Sequence, residues 1–184
     1  MWHTDPGVIV VGAGVTSAEA GGQEFVISRV LDASRERVWQ ALTEPEHMKE
    51  WWTPGHFTMI AMNMDFRPGG SFHLGMRSGE GYKMWGKFNY HEIVPPDRLV
   101  FVNCFSNAAG EITRHPIVPT WPRETLITVT LGDEPGGKTK LHVQWTPHNA
   151  TDVERSTFGA AHVGMKATWG GTLDRLAAYL ATAS

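Results

Sequence analysis

The chain has 184 residues, 41% of them apolar and 19% charged, with a formal net charge of -3. Those proportions exclude a disordered chain and a charge-driven binder of nucleic acid or anionic membrane, and the length suits one domain with a sizeable core. The single cysteine, Cys104, excludes an internal disulfide and fits a reducing compartment; no apolar run approaches the roughly 20 residues that span a bilayer, and Met1 to Gly22 carries no Lys or Arg for a signal peptide, so a cytoplasmic protein is expected.

Residues 1–22 read as an N-terminal extension with at most one short strand, Val8 to Val11, before a domain spanning 23–184. Glu24 to Leu31 alternates as a first core strand. Ser34 then serves as N-cap of a helix carrying Val38, Trp39, Ala41 and Leu42 on one side. Pro45 opens a second short helix that ends near Trp51-Trp52, before Thr53-Pro54-Gly55 breaks the chain. Strands follow over Phe57 to Phe66, Ser71 to Arg77, Tyr82 to Ile93 and Leu99 to Phe105. A proline-containing loop runs from Asn107 to Pro122, and Glu124 to Leu131 pairs with Lys138 to Thr146 as a hairpin. Successive strands with short turns predict an antiparallel sheet. Asp152 to Thr182 reads as one long helix, with Phe158, His162, Met165, Trp169, Leu173, Leu176 and Leu180 on one stripe. Gly159, Gly164 and Gly170-Gly171 each weaken that helix by roughly 1 kcal/mol relative to alanine, enough to kink it or to let a sheet approach closely. The fold class expected is α+β: a helix-grip fold, a curved antiparallel sheet around a long C-terminal helix, with two short helices after the first strand.

Several motifs have a functional and a bland reading. Val8 to Val11 with Gly12-Ala13-Gly14 imitates the opening of a dinucleotide fold, but only Val15 to Ala20 remain before Gly21-Gly22 for the helix whose N-terminus must face a pyrophosphate. The segment fits better as a flexible or strand-adding arm; added to a neighbour's sheet edge it would make a homodimer. Nine histidines invite a metal, yet none has zinc-ligand spacing, and His91-Glu92 lacks the second histidine of a zincin. Cys104, in an apolar strand, reads as a buried thiol rather than a nucleophile. His162 interrupts the apolar stripe: either a core histidine bonded to a strand, or a polar group projecting into a pocket. Trp51-Trp52 shares the ambiguity, with one ring for the core and one for a pocket mouth. The eight tryptophans and eight methionines supply adaptable apolar surface for either use.

Ordered landmarks now accumulate. Phe25 to Arg29, Val38 to His47 and Trp51-Trp52 resemble the opening of the SRPBCC superfamily, nearest the branch named for the activator of heat-shock protein 90 ATPase (AHSA-type, C-terminal domain). Met64 to Gly70 resembles that branch's second-strand turn, Ile93 to Phe101 its next landmark, and Gly170 to Leu176 its closing helix; the resemblance covers about residues 23–182. It implies a START or Bet v-like helix-grip fold with a cavity between sheet and long helix. Members include hydrophobic-ligand binders, cyclase or dehydratase relatives and chaperone ATPase stimulators. The matched motifs are turn and core landmarks, so no catalytic residue carries over.

The first functional expectation is a binding module for a small hydrophobic or aromatic molecule. Its ligand contacts are drawn from Trp52, Leu74, Met76, Trp85, Phe101, Asn103, Trp145, His162, Met165 and Trp169, with Asn103, His162 and His73 as polar candidates. No metal, cofactor, nucleic acid or membrane is expected. The alternatives are a cyclase- or dehydratase-like enzyme with His162 or another cavity histidine as acid–base, which needs converging titratable groups, and a co-chaperone, which rests on the family name alone.

Overall fold

The computed structural model describes residues 24–53 and 56–182. The expected N-terminal extension, its Val8 to Val11 strand and the homodimer argued from it lie outside the described residues. The elements in order are β1 (Phe25–Leu31), α1 (Arg35–Thr43), α2 (Pro45–Trp51), β2 (Phe57–Met64), β3 (Ser71–Ser78), β4 (Lys83–Val94), β5 (Arg98–Ser106), β6 (Glu124–Glu134), β7 (Lys138–His148), α3 (Asp152–Ala160) and α4 (His162–Thr182). The strands form one sheet in the order β1-β7-β6-β5-β4-β3-β2, antiparallel throughout. This is the helix-grip architecture. The first two strands occupy opposite edges of the sheet, and α1 and α2 make the connection between them.

Alternation sets the faces. In β6, Thr125, Ile127, Val129 and Leu131 are buried, as are Thr139, Leu141, Val143 and Trp145 in β7, with partly exposed or exposed residues between them. β5 departs from alternation: Leu99 to Val102 are all buried, as befits a strand with three neighbours on one side and three on the other. The Arg67-Pro68-Gly69-Gly70 turn needs glycine twice. Gly69 has φ +79°, and a Cβ on Gly70 would lie 2.1 Å from the Asp65 carbonyl oxygen.

The two short helices are fixed by local chemistry. Ser34 accepts the Arg37 backbone N–H at 3.4 Å, and Pro45 occupies the start of α2. The Trp51 indole N–H donates to the Ala41 carbonyl at 2.9 Å, which fastens α2 to α1. Arg29 on β1 reaches Asp174 on α4 at 2.6 Å; both are substantially exposed, so this pair adds about 1 kcal/mol at most.

The long C-terminal helix is divided. It breaks at Ala161, whose N–H bonds back to the Phe158 carbonyl at 3.1 Å, a three-residue return in place of four. The break lies between Gly159 and Gly164, two of the glycines that weaken the segment, whereas Gly170-Gly171 stays helical within α4. The stripe survives it: Phe158, Met165, Leu173, Leu176 and Leu180 are all buried. α3 has a capping box, in which Thr151 accepts the Glu154 backbone N–H at 3.3 Å and Glu154 accepts the Thr151 N–H at 2.8 Å. That backbone N–H, followed by the Arg114 guanidinium at 2.8 Å, holds the Glu154 carboxyl below the usual carboxylate range.

The Asn107 to Pro122 loop is built inward rather than left open. His115 is buried, and its Nδ1 accepts backbone N–H groups of Ile117 and Val118, both at 3.0 Å. Trp121 packs between Trp145 and Phe158. Burial lowers the pKa of His115, and protonating Nδ1 would break both bonds. A histidine with a depressed folded pKa contributes stability that is complete above its unfolded value, about 6.5, and is lost as pH falls toward the folded pKa.

Two outcomes follow. The urea midpoint of the native chain should fall from about pH 6.5 to pH 5, and His115→Asn should be less stable at neutral pH but flatter across that window. Thr151→Ala should lower unfolding free energy by about 1 kcal/mol in the same assay, without altering the sheet's circular dichroism.

Candidate functional site: an apolar cavity between sheet and helix

The sheet's inner face and α4 meet imperfectly. On the sheet, Leu99, Val129 and Val143 lie in register across β5, β6 and β7 and form a floor. Trp169 and Leu173 of α4 form the roof, with Met48 and Trp51 of α2, Phe88 and Tyr90 of β4, and Phe101 at the sides. The void between them leaves about 40 Å³ of room for the centres of water molecules. A second void lies toward β3. Leu74, Gly86 and Phe105 are in register there, flanked by Met76, Met84 and Asn103, and the corresponding room is about 130 Å³. Gly86 helps to create it: a Cβ at that position would have no neighbour nearer than 3.9 Å. Trp52 and Phe88 border both voids.

The electrostatics of the lining are uniform. Among the described residues, no charged side chain borders either void. The titratable groups are Tyr90, whose pKa burial raises, and Cys104, whose thiol is pushed up to about 11, chiefly by burial and then by the Glu124 charge. Both stay protonated at neutral pH. The Cys104 thiol donates to the Lys87 carbonyl at 3.4 Å, so it is a buried, bonded thiol. The Asn103 carbonyl accepts from Thr125 Oγ1 at 3.2 Å, while its side-chain amide and the Tyr90 hydroxyl have no hydrogen-bond partner among the described residues. No group of three or more potential metal ligands occurs among the described residues.

The structure brings some of the expected contacts together and separates others. Trp52, Phe101 and Trp169 border the first void; Trp52, Leu74, Met76 and Asn103 border the second. Trp85 also borders the second, but its indole crosses Gly75 to stack on His73 at 5.1 Å, on the opposite face of the sheet from Leu74 and Met76. His73 is held there, its Nε2 3.1 Å from the Asn107 carbonyl. Trp145, His162 and Met165 border neither void. They belong to the packed end of the core: Trp145 lies against Phe25, Trp121 and Phe158, and His162 against Phe25 and Phe158. The His162 Nε2 and the Trp145 Nε1 are buried without partners among the described residues, and burial alone lowers the His162 pKa. Several lining residues were outside the expected set. Tyr90, Val129, Val143 and Leu173 fall on the same alternations and stripe that were used to find the sheet and helix, so periodicity carried their signal.

The matched family model covers residues 32–181 and is described as Activator of Hsp90 ATPase homolog 1-like protein. The chain belongs to this family. The Activator of Hsp90 ATPase homolog 1-like match begins one strand later than the landmarks anticipated and takes in both short helices, the rest of the sheet and almost all of α4. Its fold recurs in solved structures. A protein from Nitrosomonas europaea is 25% identical, with a TM-score of 0.69 over 92% of this chain and 100% of that one. One from Rhodobacter sphaeroides is 21% identical, with a TM-score of 0.70 over 90% and 98%. One from Rhizobium leguminosarum is 26% identical, with a TM-score of 0.60 over 86% and 93%. No protein of curated function matches the chain.

The orphaned imidazole nitrogen yields a test. Removing a buried unpaired polar group should help, so His162→Leu should raise stability by about 1 kcal/mol in urea unfolding. A loss of that size would mean that the ring has a partner.

Proposed function

We propose that this chain binds a small, uncharged, hydrophobic molecule between its sheet and α4. The observation that carries the reading is the lining itself: two adjoining voids walled by rings, aliphatic chains and methionines, with Asn103 as a free polar group at one side. A pocket that is mostly apolar with few placed polar groups is the usual form of a small-molecule site. Membership of a helix-grip family supports it, since the cavity lies where that architecture leaves space between sheet and helix.

The alternatives draw less support. A cyclase-like mechanism needs titratable groups that converge and differ in pKa. His162, its candidate, borders neither void, and Tyr90 and Cys104 are both held protonated. The co-chaperone reading has the family's name behind it and no surface feature of this chain. No helix among the described residues is long and apolar enough to cross a membrane; that, with one unpaired buried thiol, fits a cytoplasmic location.

Native mass spectrometry of the purified full chain should show a bound small molecule that is released on unfolding and extracts into organic solvent. Val129→Phe, which adds bulk at the cavity floor, should lose that adduct while retaining the native circular dichroism. An adduct unchanged in the folded variant would remove this cavity from consideration.

A further inference from the structure

The first void alone is too small for the occupant proposed above: about 40 Å³ of room for water centres accommodates a few waters and no ring system. The second is larger, about 130 Å³, and the two are separated by Phe88 and Trp52. Phe88 is fixed. It stacks on Phe101 at 4.7 Å and meets Phe72 edge-on at 5.4 Å, inside the sheet's inner face. Trp52 is held far less firmly. It is partly exposed, its indole N–H has no partner among the described residues, and it lies immediately after the last residue of α2. Its neighbours touch it by edges: Trp51 at 5.3 Å, Phe88 at 5.8 Å and Trp169 at 6.4 Å. Trp51 shows the contrast. Its indole is bonded to Ala41, and its carbonyl accepts from Arg175 Nε at 3.2 Å. The backbone is thus pinned at Trp51 and again by the Trp52 N–H, which donates to the Met48 carbonyl at 3.0 Å, while the Trp52 ring itself has no hydrogen bond among the described residues.

Resting on the cavity reading, we propose that the ligand site is the two voids joined, that the Trp52 indole is its movable partition, and that the occupant is a neutral planar molecule of two fused rings with one hydrogen-bonding edge. The shape follows from what moves. When Trp52 turns outward it vacates a slot of indole dimensions, already walled for edge-to-face contact by Trp51, Phe88 and Trp169. The polar edge follows from Asn103, whose unpartnered amide borders the second void and offers both a donor and an acceptor. Neutrality follows from the lining, which among the described residues has no cation to compensate a carboxylate and no anion to compensate an amine.

The full chain labelled with fluorinated tryptophan tests this by fluorine NMR, the Trp52 signal being assigned by its loss in Trp52→Phe. Saturating naphthol should move the Trp52 signal to a position sensitive to heavy water, as an exposed indole is. Trp52→Ala should bind naphthol about tenfold or more tighter, because the closed conformer no longer competes. Naphthoate should bind at least about tenfold more weakly than naphthol. Naphthol binding with the Trp52 signal unmoved, or no gain in Trp52→Ala, overturns the partition while leaving the cavity reading intact. Equal binding of naphthoate overturns the neutral class. If no tryptophan signal moves at saturation, this proposal and the cavity reading fall together. Should Trp52→Ala not fold, Gly86→Val fills the second void from the floor and leaves the Trp52 side chain in place, and a folded Gly86→Val that binds naphthol as the native chain does overturns the joined site.

Discussion

The structure depends on one mismatch: a narrow helical stripe laid along a curved, two-dimensional sheet face. Phe158, Met165, Leu173, Leu176 and Leu180 are almost wholly buried, and each contributes on the order of 1.5–3 kcal/mol by leaving water. That burial fixes where α4 must lie. It cannot fill the concave face, because a twisted seven-stranded sheet curves away on both sides of a single helix. Other elements occupy the flanks. Met48 and Trp51 from α2 close one side, while Trp121, delivered by the loop that His115 organises, closes the other. The voids lie along the remaining seam between α4, α2 and the strands.

The choice of side chains explains why the seam is not sealed. A run of ring contacts crosses it, from Phe158 through Trp145, Trp169 and Trp52 to Phe88 and Phe101. Aromatic pairs prefer edge-to-face or offset geometry and gain about 0.5–1.5 kcal/mol beyond burial by adopting it. Flat plates meeting at steep angles leave wedge-shaped gaps that aliphatic side chains would have filled. Gly86 adds a further gap by having no side chain on the floor. Stabilisation and much of the empty space therefore come from the same residues, whereas the gap at Gly86 comes from a missing side chain and can be filled from the sheet.

How much of this could be read from the amino-acid order depended on periodicity. Strand faces, the two short helices and the α4 stripe are repeating patterns, and every strand was anticipated to within a few residues. The helix break at Ala161 was legible only as weakness, because glycines show where a helix can yield but not which carbonyl captures the next N–H. Site residues were harder. Leu74 and Met76 follow from alternation in β3 and Phe101 from the apolar run of β5, whereas Trp85 has its ring on the opposite face because Gly75 opens a space beside it on the neighbouring strand. His162 lies on the stripe as expected, yet its register places it beside Phe25 and Phe158, away from either void. Which part of a stripe borders a gap is decided by packing across three elements, and no local pattern encodes it.

The interior also has a consistent electrostatic character that bears on chemistry. Burial raises the pKa of Tyr90 and Cys104 and lowers those of His115 and His162, so each group is driven toward its neutral form. Acid–base catalysis relies on two neighbouring groups whose environments push their pKa values apart, so that one donates while the other accepts. Here burial is the dominant cause for all four groups, and no charged side chain among the described residues lines either void. An environment of this kind disfavours developing charge and favours an uncharged guest. The neutral groups and the apolar lining thus have one physical origin, the removal of these side chains from water.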